Sequence, residues 1–173
     1  VISALERYMS DLMKGKRGLI MGVANDHSIA WGIAKTLAEH GAELAFTYQG
    51  EAFGRRTKPL AESVGSSLML PCDVEDIDSV DAVFAKLKEE WGSIDFLVHA
   101  IGFSDKNELK GKYADTTRDN FSRTMVISCF SFTSGNTTLA PAKLCHVNSL
   151  NTPFFFLGLH LPVFTQQTLR QPF

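Results

Sequence analysis

The sequence predicts an α/β fold of the doubly wound class, in which a parallel sheet is covered by helices on both faces. Short, nearly continuous apolar runs alternate with amphipathic segments through residues 1–133, as is typical of strands buried on both faces. Gly41 and Gly92 stand where two of the helical segments end. The chain has 173 residues, 45% hydrophobic and 21% charged, which is sufficient for one domain with a sizeable core.

The first predicted unit is a buried strand over residues 18–21 and a helix over residues 28–40 that ends at Gly41. The inward face of this helix is expected to carry three aliphatic residues at helical spacing: Ile29, Ile33 and Leu37. A strand followed by such a helix is the repeating βα unit of parallel sheets.

Three further strands are predicted, over residues 43–48, 67–71 and 94–98. In a doubly wound sheet they are expected in the order 3-2-1-4, with strand 1 in the interior. Ligands of this fold bind beyond the carboxyl ends of the strands, where the strand order reverses. The loops that follow the strands are therefore the places to search for chemistry.

Three more helices are predicted between and after these strands. One covers residues 51–64 and is disturbed by Pro59, one covers residues 76–91, and one runs from 115 to 132 with Asp115 or Thr116 as its N-cap. The inward face of the second is expected to contain four apolar residues: Val80, Val83, Phe84 and Leu87.

Residues 134–173 differ in composition from the rest of the chain. No acidic residue follows Asp119, and this last segment contains four of the six prolines without helical or alternating periodicity. We therefore expect one domain over 1–133 and an unrelated, irregular tail over 134–173. Such a tail would leave the fourth strand as an exposed apolar edge.

Composition argues against several classes of function. The formal net charge is -2 and no run of basic residues is longer than a pair such as Arg55 and Arg56, so no nucleic-acid partner is expected. No apolar run is long enough for a membrane span. Three widely spaced cysteines without a Cys-x-x-Cys pair predict neither a disulfide framework nor a metal site, and they fit a cytoplasmic protein.

The loop after the first strand is suited to a pyrophosphate. Gly22 permits a tight turn, the amides of Ser28 and Ile29 open the helix, and Gly32 would allow close packing of the helix on the strand. The loop lacks the common G-x-G-x-x-G pattern, so an ordinary βα turn with a serine cap is the alternative.

The other loops offer weaker signals when each is taken alone. Gln49 ends the second strand, where an amide could bind adenosine or simply be a solvated turn residue. Asp73 and Val74 follow the third strand and could hold adenine, although a lone Asp is more often a helix cap. After the fourth strand, His99 fits a packed core residue better than a ligand, and the following small residues would admit a ribose or nicotinamide.

Together these loops carry a family resemblance that reaches from about residue 9 to residue 133. The motifs are Gly22 with Ser28-Ile29-Ala30 and Gly32, Thr47-Tyr48-Gln49, Cys72-Asp73-Val74, and His99-Ala100-Ile101-Gly102-Phe103. They resemble the NADH-dependent enoyl-acyl-carrier-protein reductases of bacterial fatty acid synthesis, a divergent branch of the short-chain dehydrogenases. The resemblance implies a Rossmann-like domain whose C-terminal half is missing here.

The resemblance also implies a role for each matching residue. Gly22, Ser28 and Ile29 would bind the pyrophosphate of NADH, and Gln49 the adenosine. Asp73 and Val74 would bind adenine, Ile101 the nicotinamide end, and Ser104 would lie near the acyl substrate. The implied substrate is an enoyl thioester on acyl carrier protein, and the intact family is expected to form homo-oligomers, in particular tetramers.

The family's catalytic Tyr-x6-Lys dyad is not found in this chain. Seven positions beyond its tyrosines Tyr8, Tyr48 and Tyr113 stand Gly15, Arg55 and Asn120. The resemblance therefore predicts an oxidoreductase by descent, with a chain that is inactive as written. The alternatives are an NAD-binding or subunit-interaction module without turnover, and a non-functional truncated product.

Overall fold

The computed structural model describes residues 11–134 and 143–146, and the elements below lie in those ranges. The strands are β1 Arg17–Met21, β2 Glu43–Tyr48, β3 Met69–Pro71, β4 Phe96–His99 and β5 Lys143–His146. The helices are α1 Ile29–Glu39, α2 Gly50–Ser63, α3 Ile77–Trp91, α4 Arg118–Met125 and the short α5 Ser131–Ser134. A 3-10 turn, Tyr113–Asp115, precedes α4, and a π-helical turn, Val126–Phe130, joins α4 to α5.

The strands form one parallel sheet in the order β3-β2-β1-β4-β5. The order of the first four strands confirms the sequence prediction. The register pairs Leu19 of β1 with Ala45 of β2 and Leu97 of β4. Because β1 has neighbours on both sides, the chain reverses its direction of winding there, and the carboxyl ends of β1 and β4 border a crevice.

Each face of the sheet is covered by a separate apolar core. On one face Leu19 and Met21 pack with the inward residues of α3, which are those predicted from the sequence: Val80, Val83, Phe84 and Leu87. On the other face Ile20 and Phe46 pack with alanines of α1 and α2. Successive side chains of β1 therefore point into the two cores in turn. This explains why the strand is apolar at nearly every position.

Helix α1 differs from its prediction in two places. Ile29 is 51% exposed, so it does not belong to the inward face. Ala30 and Ala34 are buried instead, with Ile33 and Leu37 partly buried beside them, because this stripe of the helix faces the sheet. The expectation that Gly32 permits close packing on the strand is also wrong, since a Cβ there would meet nothing within 4 Å.

Pro59 does not interrupt α2, which continues from Gly50 to Ser63. A proline inside a helix removes one backbone hydrogen bond. Thr57 and Ala61, which flank Pro59 in the helix, are both fully buried. Their packing against the sheet stabilises the helix despite the missing hydrogen bond.

The N-cap of α4 lies one or two residues later than the sequence predicted. Thr117 caps α4, and its hydroxyl oxygen accepts a hydrogen bond from the Asn120 amide at 3.2 Å. The same hydroxyl donates to the Glu108 carboxylate at 2.7 Å. Asp115 is part of the preceding 3-10 turn, where its carboxylate accepts from the Lys112 amide at 3.3 Å.

Strand β5 contradicts the expectation that nothing after residue 133 would join the sheet. Its residues 143–146 pair in parallel with the whole of β4, from Phe96 opposite Lys143 to His99 opposite His146. The exposed edge predicted for the fourth strand is therefore covered. The other residues of the 134–173 tail, apart from Ser134, lie outside the described ranges, and the division into two units at residue 133 stays a prediction. Within the described ranges no helix is long and apolar enough to cross a bilayer.

Candidate functional site

A cleft of about 450 Å³ opens beyond the carboxyl ends of β1 to β4. This volume lies within the range of about 300–1,000 Å³ that is typical of small-molecule sites. Four loops line the cleft, together with Arg123 of α4 and Ile127 of the π-helical turn. Five predicted site residues are among the lining: Gly22, Gln49, Asp73, Val74 and Ile101.

The first loop enters the cleft through Gly22, Val23 and Ala24. Gly22 has a φ of +97°, and a Cβ built on it would overlap the backbone carbonyl of Ala100. Buried Thr57 of α2 holds the same loop from the other side, since its hydroxyl donates to the Val23 carbonyl at 3.0 Å. The floor of the cleft is thus fixed between β4 and α2.

Ser28 and Ile29 lie at the start of α1 and are not among the residues that line the cleft. The Ser28 hydroxyl donates to the Asn25 carbonyl at 2.6 Å, and the Ser28 amide donates to the same oxygen at 3.2 Å. Ser28 therefore stabilises the loop itself and does not cap the helix through its side chain. The pyrophosphate role of these two residues stays a prediction.

Gln49 and Asp73 lie at the end of the cleft formed by β2 and β3. Gln49 is exposed and stands at the N-cap position of α2 without a side-chain capping bond. Asp73 does not cap α3, because Asp76 does so by accepting from the Asp78 amide at 3.1 Å. One oxygen of Asp73, Oδ1, accepts from the Glu75 amide at 3.0 Å, and no other described residue donates to this carboxylate.

Cys72 lines the cleft next to Asp73 and is only 7% exposed. Burial, together with the nearby carboxylates of Asp73 and Asp76, raises the pKa of its thiol to about 11. The thiol is therefore protonated near neutral pH, and the residue contributes an apolar wall rather than a nucleophile.

The loop after β4 supplies the other end of the cleft through Ala100, Ile101, Gly102 and Phe103. His99 immediately before it is fully buried, with Nε2 2.7 Å from the Ser131 hydroxyl, which confirms the interpretation of His99 as a core residue. A histidine in this position joins β4 to α5 and does not reach the cleft lining.

Ser104, predicted to lie near the acyl substrate, is one residue beyond the described lining. Its hydroxyl oxygen accepts from Asn120 Nδ2 at 3.3 Å, while Asn120 Oδ1 accepts from the Asp105 amide at 3.0 Å. The Phe103 amide donates to the hydroxyl of buried Ser128 at 3.2 Å. These bonds fasten the loop after β4 onto α4 and its π-helical turn.

Two charged residues that the sequence did not single out also line the cleft. Arg123 of α4 forms two hydrogen bonds of 2.8 Å with the carboxylate of Glu75, and its guanidinium lies 4.5 Å from the centre of the Phe103 ring. The pair lowers the pKa of Glu75 and raises that of Arg123. The two residues are 48 positions apart, so no local pattern could have indicated their contact.

Comparison with known proteins identifies the family of this chain. A family model described as Enoyl-(Acyl carrier protein) reductase matches residues 22–149. The chain belongs to this family. The match continues past residue 133, where the sequence resemblance was expected to end, and it includes the residues of β5.

Curated members of the enoyl-acyl-carrier-protein reductase family are similar over most of the described chain. Enoyl-[acyl-carrier-protein] reductase [NADH] 2 of Rhizobium meliloti is 79% identical over 125 residues, which are 72% of this chain and 47% of the relative. The NADH enoyl reductase FabI of Rickettsia bellii is 52% identical over 120 residues, covering 69% of this chain and 46% of the relative. The chain thus spans about half the length of these relatives.

Solved enoyl reductases have the same fold. FabI from Candidatus Liberibacter asiaticus gives a TM-score of 0.77 at 57% identity, covering 80% of this chain and 55% of that protein. The enzyme from Anaplasma phagocytophilum, crystallised with NAD, gives a TM-score of 0.75 at 54% identity, covering 78% and 53%. These neighbours confirm the Rossmann-like, doubly wound fold class.

Proposed function

We propose that this chain forms the NADH-binding portion of an enoyl-acyl-carrier-protein reductase, which reduces the trans-2 double bond of an enoyl thioester during fatty acid elongation. The observation that carries the proposal is the cleft at the strand-order reversal, which brings Gly22, Gln49, Asp73, Val74 and Ile101 together from four loops. Relatives named as NADH-dependent enoyl reductases support the reaction class.

The lining residues fit an extended dinucleotide. At one end Asp73 Oδ2 would accept a hydrogen bond from the adenine amino group, and Gln49 would bind the adenosine ribose. In the middle, the backbone close to Gly22 leaves room for the pyrophosphate. At the other end Ile101 would pack against the nicotinamide ring. Bound NADH would supply the hydride, and the chain's own residues would hold and orient it.

The charge around Gln49 favours NADH over NADPH. Gln49 is followed by Gly50 and Glu51, neither of which has a basic side chain to pair with a 2′-phosphate. Arg56 lies with its guanidinium 4.7 Å from the centre of the Phe53 ring at the cleft wall, and its Nε donates to the Ala52 carbonyl at 3.1 Å. Arg55 and Arg56 are the groups through which NADPH would bind if this preference is wrong.

An apolar strip on the last helical segment supports the proposal that copies of the chain associate. Phe121, Met125, Val126 and Phe130 are each between 37% and 53% exposed, at spacings of four, one and four residues. Large apolar side chains in a row on a helix are uncommon on isolated domains. The proposal includes a homo-oligomer, which would be a tetramer in the intact family, and a cytoplasmic location. The alternative is that this chain joins an intact family member as a subunit.

A calorimetric titration with NADH and NADPH tests the cofactor assignment. Wild type is expected to prefer NADH, and Asp73→Ala to bind it about tenfold more weakly through loss of a charge-assisted hydrogen bond. Asp81→Asn, on an exposed position of α3, is the matched control and should bind as wild type. A folded wild-type chain that binds no NADH would contradict the proposal, and equal affinity of Asp73→Ala would contradict the adenine role.

The same preparation tests the expectation that a chain of these 173 residues has no turnover. Each missing donor to the developing enolate oxygen costs about a hundred- to a thousandfold in rate, and no Tyr-x6-Lys pair is present to supply one. NADH absorbance should therefore stay constant when a crotonyl thioester is added. Sustained NADH oxidation by the purified chain would show that other residues perform this role.

A further inference from the structure

Arg123 contacts two cleft loops that are otherwise held by different parts of the fold. Its Nε and Nη2 donate to the two carboxylate oxygens of Glu75, in the loop after β3, at 2.8 Å each. Its guanidinium simultaneously lies 4.5 Å from the centre of the Phe103 ring, in the loop after β4. All three residues line the cleft.

We propose that Arg123 is a positioning residue that sets the separation between these two loops and so preorganises the cleft for a ligand that spans both. This inference rests on the proposed function, in which Asp73 and Val74 bind the adenine end of NADH and Ile101 the nicotinamide end. A dinucleotide must contact both loops at once, whereas a mononucleotide contacts only the first.

The surrounding bonds show why Arg123 is placed to do this. Asn120 and Ser128, on the same helical segment, bond to the amides of Asp105 and Phe103, so this segment is fixed to the loop after β4. The loop after β3 is fixed to α3, since the Asp73 amide donates to Ser79 Oγ at 2.9 Å. In the described part of the chain, the side-chain bonds between these two assemblies are those of Arg123 with Glu75.

The geometry requires arginine and not merely a positive charge. A guanidinium is planar, so one edge can pair with both carboxylate oxygens while its face covers an aromatic ring. Lysine is a point charge that cannot do both in one arrangement. The Arg123 and Glu75 side chains are 54% and 33% exposed, so the pair is expected to affect loop position more than the stability of the fold.

Direct binding of a phosphate by Arg123 is the competing explanation. In the structure two of its nitrogen donors already face Glu75, which neutralises the guanidinium on the side of the loop after β3. The two explanations predict opposite changes in NADH affinity when Glu75 is replaced by an uncharged residue. Removing the Glu75 charge would free Arg123 for an anion and strengthen NADH binding, whereas it would weaken binding if Arg123 positions the loops.

The experiment measures NADH and AMP affinity of the full chain and its variants by calorimetry. Arg123→Lys and Glu75→Gln are each expected to weaken NADH binding about three- to tenfold and to leave AMP binding within about twofold. The double variant should bind no more weakly than either single one, because both remove the same contact. Glu43→Gln is the matched control: it breaks the 2.8 Å pair with Arg17, which also approaches an aromatic ring, Trp91, at the amino end of the sheet.

Hydrogen exchange of the ligand-free chain provides the second readout. Both cleft variants should speed exchange of residues 73–76 and 101–105, and the control should not. Stronger NADH binding by Glu75→Gln, equal losses for NADH and AMP, or unchanged exchange in both loops would overturn the inference. A wild-type chain that binds no NADH would refute the proposed function, and the exchange result would still decide whether Arg123 couples the loops.

Discussion

At Gly22 the backbone has a φ of +97° and passes so close to Ala100 that a side chain has no space. The sequence identified this position because glycine permits the tight turn that was expected to hold a pyrophosphate. The structure gives a different cause, since the overlapping atoms are those of the Ala100 carbonyl, on the strand side of the loop. Valine at this position would therefore distort the contact between β1 and β4 and is unsuitable as a test of phosphate binding.

Gly22→Ala is expected to lower the free energy of unfolding by at least about 2 kcal/mol, through left-handed backbone strain and steric overlap with Ala100. Gly50→Ala separates the two effects. Gly50 has a φ of +69° and open space around its Cβ, so the change should cost only the strain, about 1 kcal/mol. Urea unfolding followed by circular dichroism measures both. Equal losses would show that the approach to Ala100 does not constrain the loop.

Helix α4 owes its position to Thr117, which accepts from the Asn120 amide and donates to Glu108. Through the same turn, Asn120 reaches Ser104 and Asp105, and Arg123 reaches Glu75. The cap of this helix therefore affects both the helix and the side chains that hold two cleft loops.

Thr117→Ala is expected to destabilise the chain by about 0.5–2 kcal/mol, the usual cost of removing a threonine N-cap. Thr116→Ala is the matched control, because the neighbouring threonine, one of the two N-caps that the sequence predicted, makes no capping bond to α4 in the structure. Thermal unfolding should separate the two variants by several degrees for a domain of this size. A larger loss for Thr116→Ala would show that the helix begins earlier in solution.

The elements that the sequence predicted well are those with a strong local pattern. β1, β2 and α3 lie within about two residues of their predicted bounds because continuous apolar runs and helical spacing determine them. The cap at Thr117 was missed because three adjacent residues, Asp115, Thr116 and Thr117, are all good N-caps and only contact with Glu108 selects among them. Ile29 was misplaced because the sequence does not show which stripe of α1 meets the sheet.

The same distinction applies to the cleft. Residues one or two positions after a strand, such as Gly22, Gln49 and Asp73, could be found because the fold class places every strand's carboxyl end at one edge. Glu75 and Arg123 could not, since their contact depends on how α4 crosses the loop after β3. Sequence reasoning thus found the residues expected to touch a ligand and missed those that hold the loops.

On the scale of the whole molecule, β5 changes what the chain's last forty residues are expected to do. Their composition predicted an irregular tail, so ending the chain near Thr133 was expected to remove no strand from the sheet. Because β5 pairs with every residue of β4, removing it would uncover the backbone groups of this apolar strand and make it an edge of the sheet. The structure thus changes the expected effect of shortening the chain.

A chain that ends after Thr133 is therefore expected to associate more than the full chain and to lose protection from hydrogen exchange at residues 96–99. A chain that ends after Ser149 is the control, since it keeps β5 and the whole family match while it lacks the apolar run Phe154-Phe155-Phe156-Leu157. It should retain the protection of β4 and associate least of the three. Size-exclusion chromatography and exchange mass spectrometry measure the two effects. Equal protection of β4 in all three chains would show that β5 does not cover this edge in solution, and the irregular tail expected from the composition would then be correct.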